Sequence, residues 1–421
     1  MDIQSIYDIF SRFPLVTTDS RNCPKDSLFF ALKGGNFDGN KFARAAVEQG
    51  CAYAFVDEAE FADGERILLV DDSLKTLQRL AEYHRKQLGL KIIGVTGSNG
   101  KTTTKELLAS VLGRKFNLTY TKGNLNNQIG VPLTLLSIKK EHELAIVEMG
   151  ASHPGDIEEL VNIAHPDFGL ITNIGTAHIL GFGSFEGVVK TKCELYDYLR
   201  AHHGKVFYHC ANPILEEKSS GMDRIPYGAG SPLSAELVGC DPFLHIRWNG
   251  FDIRTQLIGA YNFENVLASI AVWSYFGVAP QDIVEAISQY APTNSRSQYK
   301  KTASNDLIID AYNANPTSMS AALDNFKGMV AGSKVVILGD MKELGHVSES
   351  EHQKIADMLP ALQLKQAFLI GPEFAKTNSD ALKFDSVDQL NEYLKANPIS
   401  SSLVLVKGSN SMKLTSCVDN L

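Results

Sequence analysis

No two of the six cysteines stand at C-x-x-C spacing; they fall singly at positions 23, 51, 193, 210, 240 and 417. That scatter speaks against a zinc knuckle and against a disulfide framework, so reduced thiols are expected. Apolar runs are short. None approaches the roughly 20 residues that cross a bilayer, so no membrane span is expected. Positive charge is dispersed: the formal net charge is −8, and the longest basic runs are the pairs Lys139-Lys140 and Lys300-Lys301. This leaves no electrostatic footprint for nucleic acid, although one loop can hold a small anion whatever the net charge. The segment MDIQSIYDIFSRFP carries Asp2 and Asp8 and lacks a long apolar core followed by small residues. It does not read as a secretory signal, and the cytoplasm is the expected compartment. Low-complexity segments and short-period repeats are also missing.

What is present is a long chain of ordinary globular composition. Its 421 residues exceed the roughly 250 to 300 at which a single core stops growing, so two or three domains are expected. Residues 1–90 hold short strand-like runs (SLFFALKG, CAYAFV, RILLV) and end in LKTLQRLAEYHRKQLG. There Leu74, Leu77, Leu80, Ala81 and Leu88 share a helix face and Gly89 serves as C-cap. Residues 91–292 alternate buried-strand runs (KIIGV, LAIVEM, FGLITNI, KVFYH) with helical patterns such as TTKELLASVLGRKF and GDIEELVNIAH. That alternation predicts a parallel sheet covered by helices. After APTNSRSQYK it restarts (DLIIDAYN, KVVILGD, QAFLIG, SLVLVKG), predicting a separate, smaller α/β domain over residues 293–421.

The stretch TGSNGKTTTKE, Thr96 to Glu106, joins the strand KIIGV to a helix through a glycine-rich turn. A strict G-x-x-x-x-G-K-[ST] phosphate loop needs glycine at 95, where this chain has Val95. The strand-turn-helix context is nevertheless that of a phosphate cradle: Gly97 and Gly100 free backbone N–H groups to turn inward, and the helix N-terminus adds partial positive charge. Lys101 would neutralise β and γ phosphates, and Thr102 would offer its hydroxyl to magnesium. The glycines at 94, 97 and 100 do not make the dinucleotide pattern G-x-G-x-x-G.

Other polar residues fall at strand ends, where ligands of parallel sheets sit. Glu148 ends LAIVEM and is expected beside the phosphate loop as a magnesium ligand, the alternative being a strand-end glutamate facing solvent. His178 follows ITNIGT and precedes a glycine-rich turn, which makes it a ligand candidate. Lys190 and Lys192 follow on a helix, by default as solvated lysines.

TGSNGKTTTKE, GNLNNQIGVPLTLL, VEMGASHPGDIEEL, ITNIGTAHILGFGS, GAYNFENVLASIAV, DAYNANPTSM, GDMKELG and VLVKGS occur in this order. Together with TDSRNCPKDSLFFALKGGNFDGNKF they make the chain resemble the ATP-dependent Mur ligases of peptidoglycan synthesis over most of its length. The family's loop is the shorter G-x-x-G-K-T form, which accounts for Val95. The resemblance implies a three-domain α/β architecture: a central parallel-sheet, P-loop-type ATPase domain, an N-terminal UDP-sugar-binding domain and a Rossmann-like C-terminal domain. It also implies ATP and Mg2+, with UDP-N-acetylmuramoyl-tripeptide and D-alanyl-D-alanine as the compounds joined, by a chain expected to act as a monomer.

Residue by residue, the resemblance places Thr96, Gly97, Ser98, Asn99, Gly100, Lys101, Thr102 and Thr103 around the ATP phosphates, with Asn262 and Asn265 near the adenine. Arg296 and Asp310 would close over the nucleotide from the C-terminal domain. Thr102, Glu148 and His178 would hold metal, and Lys192 fits the slot of the family's carbamylated lysine better than Lys190 does. Ser20, Arg21, Asn127, Tyr312, Asn313 and Asn315 are the expected substrate contacts. Two positions depart from the family pattern: Tyr261 stands where histidine is common, and Asn40 replaces the histidine of DGHxF.

The implied reaction activates a carboxylate as an acyl phosphate, which an amine then attacks, with Lys101, Lys192 and His178 at the reacting centre. Two other readings compete with it. One is a different ligase of the superfamily, forming the tripeptide or folylpolyglutamate; the other is a nucleotide-dependent regulator without ligase chemistry.

Overall fold

The computed structural model describes residues 1–35, 37–176 and 178–421. Helix α1 (Ile3–Arg12) precedes four parallel strands, β1 (Leu15–Thr17), β2 (Ser27–Phe30), β3 (Tyr53–Val56) and β4 (Ile67–Leu69), which pair in that order. All four residues of β2 are buried, as suits a strand covered on both faces. Helix α2 (Ser73–Leu88) begins where the Asp72 side chain accepts from Lys75 N at 2.8 Å, and it ends on Gly89 at φ +66°. Only a residue tolerant of left-handed backbone closes a helix in this way at little cost.

The central sheet contains β5 (Lys91–Thr96), β6 (Leu118–Tyr120), β7 (Leu144–Glu148), β8 (Phe168–Ile171), β9 (Lys205–His209) and β10 (Asp223–Tyr227). They are all parallel, in the order β10-β9-β8-β5-β7-β6. The first strand thus lies inside the sheet, with β7 on one side and β8 on the other. The crevice outside its carboxyl end is the place where sheets of this kind bind ligands.

Helices α3 (Lys101–Leu112), α4 (Phe185–Ala201) and α5 (Asn262–Tyr275) flank this sheet. On one face Leu107, Leu108 and Val111 of α3 share a core with Ile93, Val95 and Ile146 and with Val266, Ile270 and Trp273 of α5. The other face packs Leu195 and Leu199 of α4, with Val131, Leu135, Ile157 and Leu160, into one continuous core with Ile6, Phe10, Leu77 and Leu80. The N-terminal sheet and the central sheet therefore meet through apolar packing.

The parallel pattern does not extend to β11 (Glu236–Cys240), β12 (Phe243–Trp248) and β13 (Phe251–Ile258), which form an antiparallel sheet. Asn249 at φ +49° and Gly250 at φ +80° make the turn between β12 and β13, a pairing suited to a two-residue hairpin.

A further sheet is built from β14 (Gln298–Lys301), β15 (Asp306–Asp310), β16 (Lys334–Gly339), β17 (Gln366–Ile370), β18 (Leu382–Phe384) and β19 (Leu403–Lys407). Its order is β14-β15-β19-β16-β17-β18, parallel except for β14. Helix α6 (Pro316–Gly328) packs Met319, Leu323 and Phe326 against Ile308, Val336 and Leu338 of this sheet. Among the described residues no helix is long and apolar enough to cross a membrane.

Candidate active site

The glycine-rich turn leaves β5 at the crevice. Gly97 has φ +143°, and a Cβ there would lie 2.0 Å from Thr172 Oγ1; a Cβ on Gly100, at φ +78°, would lie 2.2 Å from Asn265 Oδ1. Close approach to β8 and α5, not loop flexibility, requires these two glycines. The turn is pinned from both sides. Ser98 N donates to Asn173 O at 3.0 Å, Asn99 N to Asn173 Oδ1 at 2.9 Å, and Thr96 Oγ1 to Met149 O at 2.7 Å.

Lys101 opens α3 and folds back, donating from Nζ to Gly97 O at 2.7 Å and Ser98 O at 3.2 Å. Burial pushes its ammonium pKa down to about 8; Glu148 opposes the shift and Arg296 adds to it. A cation held over the turn and made costly by desolvation is suited to an anion that restores its charge.

Thr102 Oγ1 donates to both carboxylate oxygens of Glu148, each at 3.0 Å. Glu148 pairs with Val95 across the β5–β7 ladder and is 0% exposed, so the solvent-facing alternative does not apply. Asn126 Nδ2 donates to Glu148 Oε1 at 2.8 Å, and Lys105 Nζ lies 3.7 Å from Oε2. Neither Asn126 nor Lys105 was singled out from the sequence. Asn126 sits in GNLNNQIG beside the expected Asn127, and the structure divides their work. Asn127 lines the cavity but accepts from Ile129 N and Gly130 N with Oδ1, closing the turn ahead of a short helix.

His178 has left-handed backbone, φ +54°, and its Nδ1 pairs with Glu343 Oε2 from the loop after β16. Burial pushes its pKa below the ordinary value; Glu343 opposes this, and Lys101 and Lys192 reinforce it. Lys192 is 2% exposed on α4, with Nζ 5.3 Å from the centre of the Phe182 ring. Burial, then Lys101, drive its pKa well down. The default reading of both lysines as solvated therefore fails for Lys192, while Lys190 is exposed.

Asn262 and Asn265 are buried in the first turn of α5. Asn262 Nδ2 donates to Ile258 O at 2.8 Å, Asn265 Nδ2 to Asn262 Oδ1 at 2.9 Å, and Thr104 Oγ1 to Asn265 Oδ1 at 3.3 Å. From the C-terminal block, the Arg296 guanidinium stacks 3.8 Å from the centre of the Tyr312 ring. Asp310 accepts from Ser297 N at 3.2 Å and from Lys407 Nζ at 2.5 Å. Asn313 Oδ1 accepts from Ala314 N at 2.9 Å. Asn315 caps α6 through Ser318 N at 2.9 Å and reaches across to Asn99 Oδ1 at 2.8 Å.

These groups surround one cavity of about 730 Å³ between the central and C-terminal sheets. Of the expected residues, Ser98 to Lys101, Thr103, Asn127, Glu148 and His178 line it from one side or its floor. Asn262, Asn265, Arg296, Asp310, Tyr312, Asn313 and Asn315 line the rest. Thr96, Gly97, Thr102 and Lys192 are not among the residues that line it. Ser20 and Arg21 stand apart from it in the N-terminal block; Arg21 is paired at 2.9 Å with Asp19, whose carboxyl it holds down to about 2. Tyr261 also lines the cavity, and its hydroxyl meets Ser297 Oγ at 2.6 Å.

Beside the phosphate turn stand the Thr102 hydroxyl and the Glu148 carboxylate, and among the described residues no cluster of three His, Cys, Asp or Glu could hold a metal alone. Such a set fits magnesium, which takes few protein oxygens and completes its shell with phosphates and water.

Three family models match the chain: "Mur ligase family, catalytic domain" over residues 12–85, "Mur ligase middle domain" over 95–273, and "Mur ligase, glutamate ligase domain" over 295–410. The UDP-N-acetylmuramoyl-tripeptide–D-alanyl-D-alanine ligase of Bacillus subtilis (strain 168) is 36% identical, over 96% of this chain and 92% of its own. Among solved structures, a MurF from Acinetobacter baumannii superposes with TM-score 0.86 at 31% identity, over 96% of this chain and 92% of that one. MurF ligase from Thermotoga maritima in complex with ADP gives 0.84 at 25% identity, covering 98% and 97%. The chain belongs to the Mur ligase family.

Proposed function

We propose that this chain is an ATP-dependent amide ligase that joins the terminal carboxylate of UDP-N-acetylmuramoyl-tripeptide to the amine of D-alanyl-D-alanine. The observation that carries the reading is the cavity itself. A phosphate turn with Lys101 and the Thr102–Glu148 pair faces Arg296, Asp310 and Asn315, which arrive from a different sheet. The named relatives, alike over nearly the whole chain, point to these substrates over a tripeptide-forming or folate ligase.

Lys101 binds the phosphates of ATP and keeps its proton against the developing charge as the γ-phosphoryl group moves to the substrate carboxylate. ADP leaves, the dipeptide amine attacks the acyl carbon, and phosphate departs with the carboxylate oxygen it took up. Thr102, Glu148 and His178 would hold magnesium, which when bound supplies charge neutralisation on phosphate oxygens. Residues 1–90 bind the UDP-sugar, 91–292 hold ATP, and 293–421 close over the ATP and bind the dipeptide, excluding water from an acyl phosphate that it would hydrolyse. The reaction belongs to the cytoplasm, where ATP is available.

Oxygen labelling tests this. Tripeptide carrying 18O in its acceptor carboxylate should deliver one labelled oxygen into inorganic phosphate while UDP-muramoyl pentapeptide forms. Unlabelled phosphate alongside pentapeptide would contradict the acyl phosphate.

A further inference from the structure

Glu343 lies in GDMKELG, a motif to which the proposed reaction gives no work. Its carboxylate is 57% exposed and meets one polar partner among the described residues, His178 Nδ1. The two residues come from different sheets, and both adopt left-handed backbone, φ +54° for His178 and +62° for Glu343. Residues with a Cβ adopt that conformation where their surroundings enforce it.

Here the surroundings are a set of contacts between the two domains. Thr176 Oγ1 meets Thr317 Oγ1 at 2.9 Å, Asn315 Nδ2 donates to Asn99 at 2.8 Å, and Leu180 packs so near Gly345 that a Cβ there would lie 2.8 Å from Leu180 Cδ1. The His178–Glu343 pair is thus formed by docking of the C-terminal domain.

A carboxylate can only accept, so the ring nitrogen facing it must carry a proton. A ring whose single proton sits on Nδ1 keeps its lone pair on Nε2. Among the described residues Nε2 has no hydrogen-bond partner, and the ring lines the cavity. A carboxylate on one nitrogen of a histidine is the usual device for orienting the other toward a metal.

We infer that Glu343 is a positioning residue: carried in by the C-terminal domain, it fixes His178 as the Nδ1–H tautomer and presents Nε2 to the metal. The site's histidine ligand is therefore oriented only in the docked arrangement. What Nε2 receives rests on the ligase reading; the tautomer does not.

The test uses the full chain with 15N-labelled histidine rings, His178 being assigned by its loss in His178→Gln. In the wild type the ring proton should sit on Nδ1. Glu343→Ala should abolish that preference, whereas Glu343→Gln, whose amide oxygen still accepts, should retain it. Mn2+ binding, read by electron paramagnetic resonance in the presence of a non-hydrolysable ATP analogue, should weaken about 10- to 100-fold in Glu343→Ala and less in Glu343→Gln. Glu343→Ser, too short to reach the ring, replaces the alanine variant should that one fail to fold. A proton on Nε2 in the wild type, an unaltered tautomer in Glu343→Ala, or unchanged Mn2+ affinity each overturns the inference. A wild type that shows the tautomer and its loss yet forms no pentapeptide contradicts the ligase reading instead.

Discussion

Thr102 and Glu148 tie the start of α3 to the end of β7: one hydroxyl donates to both oxygens of a carboxylate that no solvent reaches, 3.0 Å to each. Behind them lies Lys105, whose buried Nζ has no hydrogen-bond partner among the described residues and stands 3.7 Å from Glu148 and 3.8 Å from Glu106. Glu148→Gln removes the nearer counter-charge, and breaking a buried pair of this kind costs about 3 to 5 kcal/mol. Urea unfolding should show that loss, and adding Lys105→Met should recover part of it. A cost below about 1 kcal/mol, the size expected for an exposed pair, would mean that Lys105 does not depend on Glu148.

Lys101 yields a pH signature. Its folded pKa of about 8 lies below that of an unfolded lysine, so the unfolded chain binds the extra proton between those values. Stability should therefore rise with pH from about 8 toward the unfolded value of about 10.4. The difference between wild type and Lys101→Met isolates this slope from other lysines. Nucleotide phosphates restore the proton, so binding at pH 9 should take up about one proton in the wild type and none at this position in Lys101→Met, measured by calorimetry in buffers of different ionisation enthalpy. Lys101→Ala should abolish turnover.

Asn315 has two jobs that one substitution separates. Asn315→Asp keeps the oxygen that caps α6 but loses the amide that donates to Asn99. It should fold as stably as the wild type and lose about tenfold in kcat/KM for ATP, the size of one hydrogen bond. Asn315→Ala should add a capping loss of about 1 kcal/mol in thermal unfolding. Equal kinetics in Asn315→Asp and wild type would remove the cross-domain bond from the working state.

Tyr261 joins α5 to the chain entering β14 through Ser297, which has left-handed backbone at φ +50°. Tyr261→Phe keeps the ring and deletes the bond, and should cost about 1 kcal/mol in urea unfolding. An unchanged midpoint would show that the hydroxyl exchanges Ser297 for water without loss.

Much of this arrangement is visible in the chain because the central and C-terminal strands are buried on both faces and read as unbroken apolar runs, KIIGV and KVVIL among them. Glu148 and His178 stand out because they end or follow such runs. The antiparallel β11–β13 sheet was missed although Trp248-Asn249-Gly250-Phe251 carries a hairpin signal and β13 alternates in burial. Lys105 gives no signal, since a lysine in a helix reads as solvated until its neighbours are known. Glu343 meets a residue 165 positions away, and no local pattern reports a contact made by docking two domains. Burial of Lys192 but not Lys190 likewise follows from how α4 sits on the sheet.

ADP release separates ATP-driven amide ligation from the competing readings. With UDP-muramoyl tripeptide, ATP and magnesium present, release should depend on added D-alanyl-D-alanine and should not occur with a folate and glutamate in place of the two substrates. Release at the same rate without the dipeptide, or equal release with folate and glutamate, would exclude amide ligation of the tripeptide to D-alanyl-D-alanine.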